Sequence, residues 1–158
     1  MKGNEIMKKT DGKKVNIYVD MDGVLANFFG ADGALERFET EKDFFFNLAP
    51  FEKNVAAVNQ AIADGINLYI LSASPNKRAD GDKRKWLKKY IPTLKKGHAI
   101  IMRCGENKLK YIKTADGILL DDYGKNRREW VDGNPNNRAY KIAADGDIHN
   151  ALVQILLG

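Results

Sequence analysis

Three short β-branched and aromatic runs punctuate the chain, and each breaks off into polar residues: 15–19 (VNIYV) before Asp20, 66–72 (INLYILS) at Ser72, and 117–122 (GILLDD) in paired aspartates. Apolar runs of this length without polar alternation indicate strands buried on both faces, the habit of parallel sheets. Between them the apolar spacing changes to that of helices. Residues 52–65 place Val55, Val58, Ala61 and Ile62 on one face and stop at Gly65, in a helix C-cap position. Residues 82–92 put Trp86, Leu87 and Tyr90 on one side and end before Pro92; residues 107–117 do the same with Leu109 and Ile112 and stop at Gly117. Residues 98–102 and 139–143 read as further strands, and 147–157 as a closing helix. Strands alternating with helices predict a parallel α/β sheet with right-handed crossovers. Ligands of such sheets bind beyond the carboxyl ends of the strands, where this topology gathers Asp20, Asp22, Ser72, Ser74, Asp121 and Asp122. The triplet Ala-Asp-Gly recurs five times at irregular spacing, and most copies read as element-ending turns.

With 158 residues, 44% hydrophobic and 30% charged, the chain is long enough for one domain with a core and too short for two full-sized ones. Residues 1–158 are read as a single domain. No apolar run approaches the ~18–20 residues of a membrane span. The opening segment MKGNEIMKKTDGKKV has basic residues without an apolar signal core and reads as a frayed tail. The single cysteine, Cys104, cannot form an internal disulfide and fits a reducing compartment, so a cytoplasmic location is expected. Cys104 is expected to be a small buried residue, and His98 and His149 to be structural or solvated. The net charge of +5 suits an anionic partner only weakly. A solvated helix face, with Trp86 turned inward, accounts for the lysines of DKRKWLKKY.

Asp20-Met21-Asp22-Gly23 carries more chemistry. Taken alone it also describes a strand-ending turn; an EF-hand is excluded because the further acidic ligands and closing Glu are missing. Four carboxylates at one sheet edge repel one another unless a cation holds them. Oxygen ligands without His or Cys favour a hard ion, and Mg²⁺ suits a site that also holds a phosphate. Two positions apart on a continuing strand, Asp20 and Asp22 point to one face, so one carboxylate can attack while the other exchanges a proton. Phosphoryl transfer further calls for a hydroxyl, backbone amides and a lysine around the charge.

With these residues in this order, the chain resembles the haloacid-dehalogenase (HAD) superfamily phosphatases. DMDGVLANF is similar to their first motif, and ILSASP, a later lysine and ILLDD follow in the order of the other three. The resemblance is strongest to the 5'(3')-deoxyribonucleotidases, includes FFFNLAPFEKNVAAV, and covers about residues 17–122. It implies a Rossmann-like sheet flanked by helices with a small helical cap after the first strand. It also implies Asp20 as nucleophile, Asp22 as general acid/base that offers its backbone carbonyl to Mg²⁺, and Asp121 and Asp122 completing the metal site. The ENK segment resembles the family's lysine position and favours Lys108 over Lys110; Lys77 in SPNK is an additional phosphate contact. Those nucleotidases often carry Thr-Ser-Pro where this chain has Ser72-Ala73-Ser74-Pro75, which puts Ala73 where a phosphate-binding hydroxyl is expected. Ser72, at the strand end, is favoured in its place, with Ser74 as the rival.

Residues 28–50 are too many for a simple loop and are read as the cap. An aromatic cap excludes water and can stack on a base, each ring contributing ~1–3 kcal/mol. Core packing accounts for at least one of Phe44, Phe45 and Phe46, and the resemblance makes Phe28 and Phe45 the base contacts. The expected protein is a Mg²⁺-dependent phosphohydrolase of nucleoside monophosphates, pyrimidine deoxyribonucleotides foremost, working through an aspartyl-phosphate. Its rivals are a phosphatase for another small phosphate ester, a non-enzymatic domain accepting phosphate on Asp20, and a basic nucleic-acid-binding protein. Asp22 argues against the phospho-acceptor, which does better without a proton-transfer group beside the phosphate. A small-molecule substrate is expected, with no membrane and no nucleic acid as partner, and a homodimer is compatible with the sequence.

Overall fold

The computed structural model describes residues 14–158, so all but the last residues of the expected tail lie outside the described part. Along the chain run β1 (Asn16–Val19), the one-turn helix α1 (Ala34–Arg37), α2 (Glu52–Ala63), β2 (Asn67–Ser74), α3 (Lys77–Tyr90) and β3 (Ala99–Arg103). A 3₁₀ turn (Lys108–Tyr111), β4 (Ile118–Asp121), α4 (Gly124–Asp132), β5 (Arg138–Lys141) and α5 (Asp147–Leu157) complete the order. The five strands form one parallel sheet in the order β3-β2-β1-β4-β5. The chain winds outward from β1 to β3 and then returns to the other side of β1, which creates a switch point between β1 and β4. Val19 pairs with both Ile70 and Leu120, so β1 and β4 end within a residue of each other while β2 runs on to Ser74 beyond them.

The central strands β1 and β4 are packed on both faces, which is why their sequences do not alternate. Ile17 and Val19 enter one core with Ile70, Leu120, Trp86 and the inner faces of α2, α3 and α5. Tyr18 points into a second core with Leu71, Leu119, Met102 and Trp130. Each such side chain contributes about 1.5–3 kcal/mol on burial, enough to fix the register of the central strands.

Several element bounds differ from the sequence reading. β2 runs to Ser74, so Ser72 lies inside the strand and not at its end. α3 begins at Lys77 because the Asn76 side chain caps it, accepting from the Ala79 amide at 3.0 Å. The third Ala-Asp-Gly triplet is therefore helical. The expected helix over 107–117 is only the 3₁₀ turn: Ile112 is extended, and the Lys113 amide donates to the Tyr18 hydroxyl (2.9 Å) instead of continuing a helix. α4 was not foreseen, since Trp130 is its single buried residue.

Residues 28–50 contain α1 and a series of turns. Their stem is closed by backbone bonds from Asn27 to the Ala49 carbonyl (2.8 Å) and from Phe51 to the Leu25 carbonyl (2.7 Å). Their far side is tied to α3: Asn76 Nδ2 donates to the Glu39 carbonyl (2.9 Å), Arg78 Nη2 to the same carbonyl (3.2 Å), and Trp86 Nε1 to the Leu48 carbonyl (2.9 Å).

Candidate active site

Asp20 follows β1 directly and Asp121 ends β4, so the switch point places both carboxylates in one crevice. One oxygen each of Asp20, Asp121 and Asp122 lies within 4.8 Å of the others. Asp121 is fully buried; its Oδ1 accepts from the Tyr123 amide (2.9 Å) and its Oδ2 from Asn126 Nδ2 (3.1 Å). Lys108, the first residue of the 3₁₀ turn, is buried beside them and donates to Asp20 Oδ1 and Asp121 Oδ2, both at 2.8 Å.

Burial, and then the charge of Asp121, push Asp20 well above the usual carboxylate range despite the pull of Lys108. Burial and Asp121 raise Asp122 as well. Burial alone would lower Lys108, but Asp20 and Asp121 outweigh it and hold the ammonium above its ordinary value. Converging oxygen donors, with no nitrogen or sulfur ligand in the group and two carboxylates held uphill, are a donor set that suits a hard divalent ion.

Gly23 answers why a glycine follows the acidic pair. It has a φ of +81°, and a methyl group built on it would overlap Asp122 Oδ2. The DMDG turn and the end of β4 thus approach more closely than a side chain would permit.

Asp22 faces a different partner. Its Oδ2 accepts from Lys83 Nζ at 2.7 Å, while its Oδ1 is buried and has no hydrogen-bond partner among the described residues. Lys83 also donates to Ser72 Oγ (2.8 Å) and to the Ala73 carbonyl (2.6 Å), and its side chain is fully buried. This corrects the reading of DKRKWLKKY as a purely solvated face. The signal was in the spacing: Lys83 falls on the stripe of Ala79, Trp86, Leu87 and Tyr90, a position the helix buries. Ser72 and Ser74 are both buried, the Ser74 hydroxyl donating to the Asn76 carbonyl (3.2 Å). Lys77 is exposed on the first turn of α3 and does not line the cavity.

These groups open into a cavity of about 580 Å³. Asp20, Asp22, Lys108 and Asp122 form its ionic end, and Ala73 and Pro75 one side. Phe28, Phe38 and Phe45 form the aromatic wall, with Phe28 and Phe45 stacked at 6.1 Å between ring centroids. Phe28 and Phe45 are only 6% and 1% exposed, packed on each other and on Phe44. The rim is apolar and wet: Phe29 and Leu35 are 70% exposed and Tyr123 58%. None of the three was singled out in the sequence, because residues on short turns carry no periodicity. Cys104 is a further correction, for it is exposed at this cavity and not a buried core residue. His98 packs on Tyr69, its Nδ1 paired with the Leu68 carbonyl (2.9 Å), and His149 is exposed.

Among solved structures, a chain of the Pnkp1/Rnl/Hen1 complex superposes with a TM-score of 0.60 at 16% identity, over 84% of this chain and 47% of that one. At that identity the likeness speaks for the fold, and this chain spans about half the length of the one it matches. No curated protein matches the chain. The family described as 5' nucleotidase, deoxy (pyrimidine), cytosolic type C protein (NT5C) matches residues 31–141, more than two thirds of the sequence. That stretch holds Lys83, Lys108, Asp121 and Asp122 and begins just after the DMDG turn. No helix among the described residues is long and apolar enough to cross a membrane. A parallel sheet with acidic residues at its switch point, together with this match, makes the chain a member of the NT5C family of HAD-type nucleotidases, which are phosphoric monoester hydrolases.

Proposed function

We propose that the protein hydrolyses nucleoside monophosphates, pyrimidine deoxyribonucleotides foremost, in a Mg²⁺-dependent reaction through an aspartyl-phosphate, an acyl phosphate formed on Asp20. The observation that carries this reading is a single cavity with carboxylates and a lysine at one end and phenylalanine rings along its wall. That polarity matches a ligand with a phosphate at one end and a planar base at the other. Residues 28–50 act as the cap of a single domain, with Phe28 and Phe45 inside and Phe29 and Tyr123 at the rim.

Asp20, Asp121 and Asp122, with the backbone carbonyl of Asp22, are the groups to hold Mg²⁺. Bound there, the ion would offset the phosphate charge against the carboxylates. A carboxylate oxygen of Asp20 attacks phosphorus as the ester P–O bond breaks, and the departing oxygen takes a proton from Asp22. Water then attacks the same phosphorus and gives its proton to Asp22, releasing phosphate and restoring Asp20. Lys83 anchors Asp22 through Oδ2 and leaves Oδ1 without a protein partner, the oxygen suited to that exchange. Ser72 acts by orienting Lys83, and the backbone at Ala73 faces the phosphate in place of the missing hydroxyl. Lys77 has no part in this arrangement. A lone cysteine and a cytosolic-type family support a cytoplasmic setting.

Phosphate release should be screened over nucleoside monophosphates and sugar phosphates, with and without Mg²⁺, on the parent and on Asp20→Asn. The reading expects nucleotide turnover that requires Mg²⁺ and is lost in a folded Asp20→Asn protein. Faster release from sugar phosphates would shift the substrate class to another small ester, and an active Asp20→Asn protein would end the covalent mechanism.

A further inference from the structure

We propose that Arg127 and Arg128 form a second phosphate-binding site on the flank of the cavity, which takes a phosphate carried by the sugar of the nucleotide whose other phosphate enters at Asp20. The inference rests on the nucleotidase reading given above and narrows its substrate class to nucleotides with two phosphates on one sugar, supplied as a nucleoside bisphosphate or as the phosphorylated end of an oligonucleotide. A Cβ built on Gly124 would meet Arg128 Nη1 at 3.0 Å and Arg127 Nη2 at 3.6 Å, so both guanidinium groups fold back over that glycine and stand side by side. Gly124 lies two residues beyond Asp122, a reach of at most ~7 Å. On either side of it Tyr123 and Asn126 line the cavity, and Asn126 donates to Asp121. The paired guanidinium groups therefore border the carboxylates at about the distance that one sugar spans.

Folding gives no account of this pair. Arg37, Arg78 and Arg103 each face a carboxylate, Glu41, Asp82 and Asp80 in turn. Arg127 instead spends one donor on the Asp121 carbonyl (3.1 Å), and Arg128, which is exposed, has no hydrogen-bond or ion-pair partner among the described residues. The start of α4 carries no acidic residue, so two like charges meet where the helix dipole is also positive, an arrangement that costs stability. Lys141, beside Asp121 in the sheet register and exposed, adds a third cation to this flank. A phosphate removes the conflict, since its oxygens accept from both planar guanidinium forks at once. The aromatic wall and Lys108 lie on the cavity side, so the two phosphates have separate partners.

The test compares phosphate release from thymidine 5'-monophosphate, thymidine 3',5'-bisphosphate and the 5'-phosphorylated dinucleotide pTpT in the parent, in Arg128→Met and in the exposed control Lys95→Met. In the parent, kcat/KM should be at least about tenfold higher for the bisphosphate than for the monophosphate, the size of one charge-assisted contact. That ratio should fall toward one in Arg128→Met and persist in Lys95→Met. A preference shared by pTpT supports the site and assigns it to oligonucleotide ends; one confined to the bisphosphate supports it and assigns it to free nucleotides. Isothermal titration calorimetry of the mono- and bisphosphate on Asp20→Asn, with and without Arg128→Met, reads the same difference as binding. Monophosphate turnover without a preference, or a preference that Arg128→Met retains, overturns the second site and leaves the nucleotidase reading standing. No turnover of any of the three ends that reading, and calorimetry then decides the site: tighter bisphosphate binding that Arg128→Met removes upholds it, and equal binding overturns it.

Discussion

The Lys83 ammonium stands 4.5 Å from the centroid of the Phe45 ring while donating to Asp22 Oδ2 at 2.7 Å. One side chain thus joins the carboxylate proposed as acid/base to the aromatic wall. Lys83→Met removes the cation from a buried pair and leaves Asp22 with two unmatched oxygens. Breaking such a pair costs about 3–5 kcal/mol, with the lower figure expected here because Asp22 keeps some solvent contact. Thermal melts should show that loss, and phosphate release should fall by at least ~10²-fold as the proton-transfer group loses its anchor. A variant melting and turning over like the parent would remove Lys83 from the site.

Phe45 and Phe29 should separate packing from recognition. Phe45 is buried among Phe28, Phe38 and Phe44, so Phe45→Ala opens a cavity costing about 3–5 kcal/mol and depresses turnover of every ester together. Phe29 is exposed at the rim, so Phe29→Ala should change stability by less than ~0.5 kcal/mol. It should still cost about 1–3 kcal/mol in kcat/KM for nucleotides and spare p-nitrophenyl phosphate. Equal losses on both substrates would deny Phe29 any contact with a base.

Gly23→Ala tests the approach of the DMDG turn to the end of β4. A φ of +81° strains an alanine by about 1–2 kcal/mol, and the added methyl pushes on Asp122. Calorimetry should register the strain, and a Mn²⁺ titration should register weaker binding. Unchanged Mn²⁺ affinity would mean that Asp122 is not a ligand.

An acid-side measurement isolates the Asp80–Arg103 pair between α3 and β3. Burial pushes Asp80 upward, but the two-pronged bond from Arg103 (3.0 and 2.8 Å) outweighs it and holds the carboxyl below its usual range. A lowered folded-state pKa gives stability above the ordinary carboxylate value and loses it as pH falls through the lowered one. Arg103→Ala should therefore have a lower urea midpoint than the parent at pH ~7, and the gap should close below pH ~3–4. A gap that widens in acid would contradict the sign.

The strands and the acidic edge were legible in the sequence because both follow from backbone periodicity: β-branched runs mark the dry sheet, and their polar ends mark its rim. Lys83 was not, because a lysine in a basic run reads as solvated unless its place on the stripe of Trp86 and Leu87 is counted first. The loss of the helix after Lys108 and the gain of α4 have one cause. The second core recruits the chain from 111–117 through the Tyr18 hydroxyl and takes α4 through Trp130, and neither contact is local in sequence. Phe29, Leu35 and Tyr123 gather only when the turns of 28–50 meet the end of β4.

The exposed rim of the cavity stands beside its carboxylates: a methyl group on Gly23 would meet both Asp122 Oδ2 and the Phe29 ring, and Tyr123 follows Asp122 directly in the chain. In the proposed mechanism a nucleoside released at that open rim departs first, while its phosphate is still held on Asp20. Inorganic phosphate should then compete directly with the incoming nucleotide, while added nucleoside should lower the maximal rate without competing. Under that order a rising nucleotide level overcomes inhibition by phosphate but not inhibition by the nucleoside.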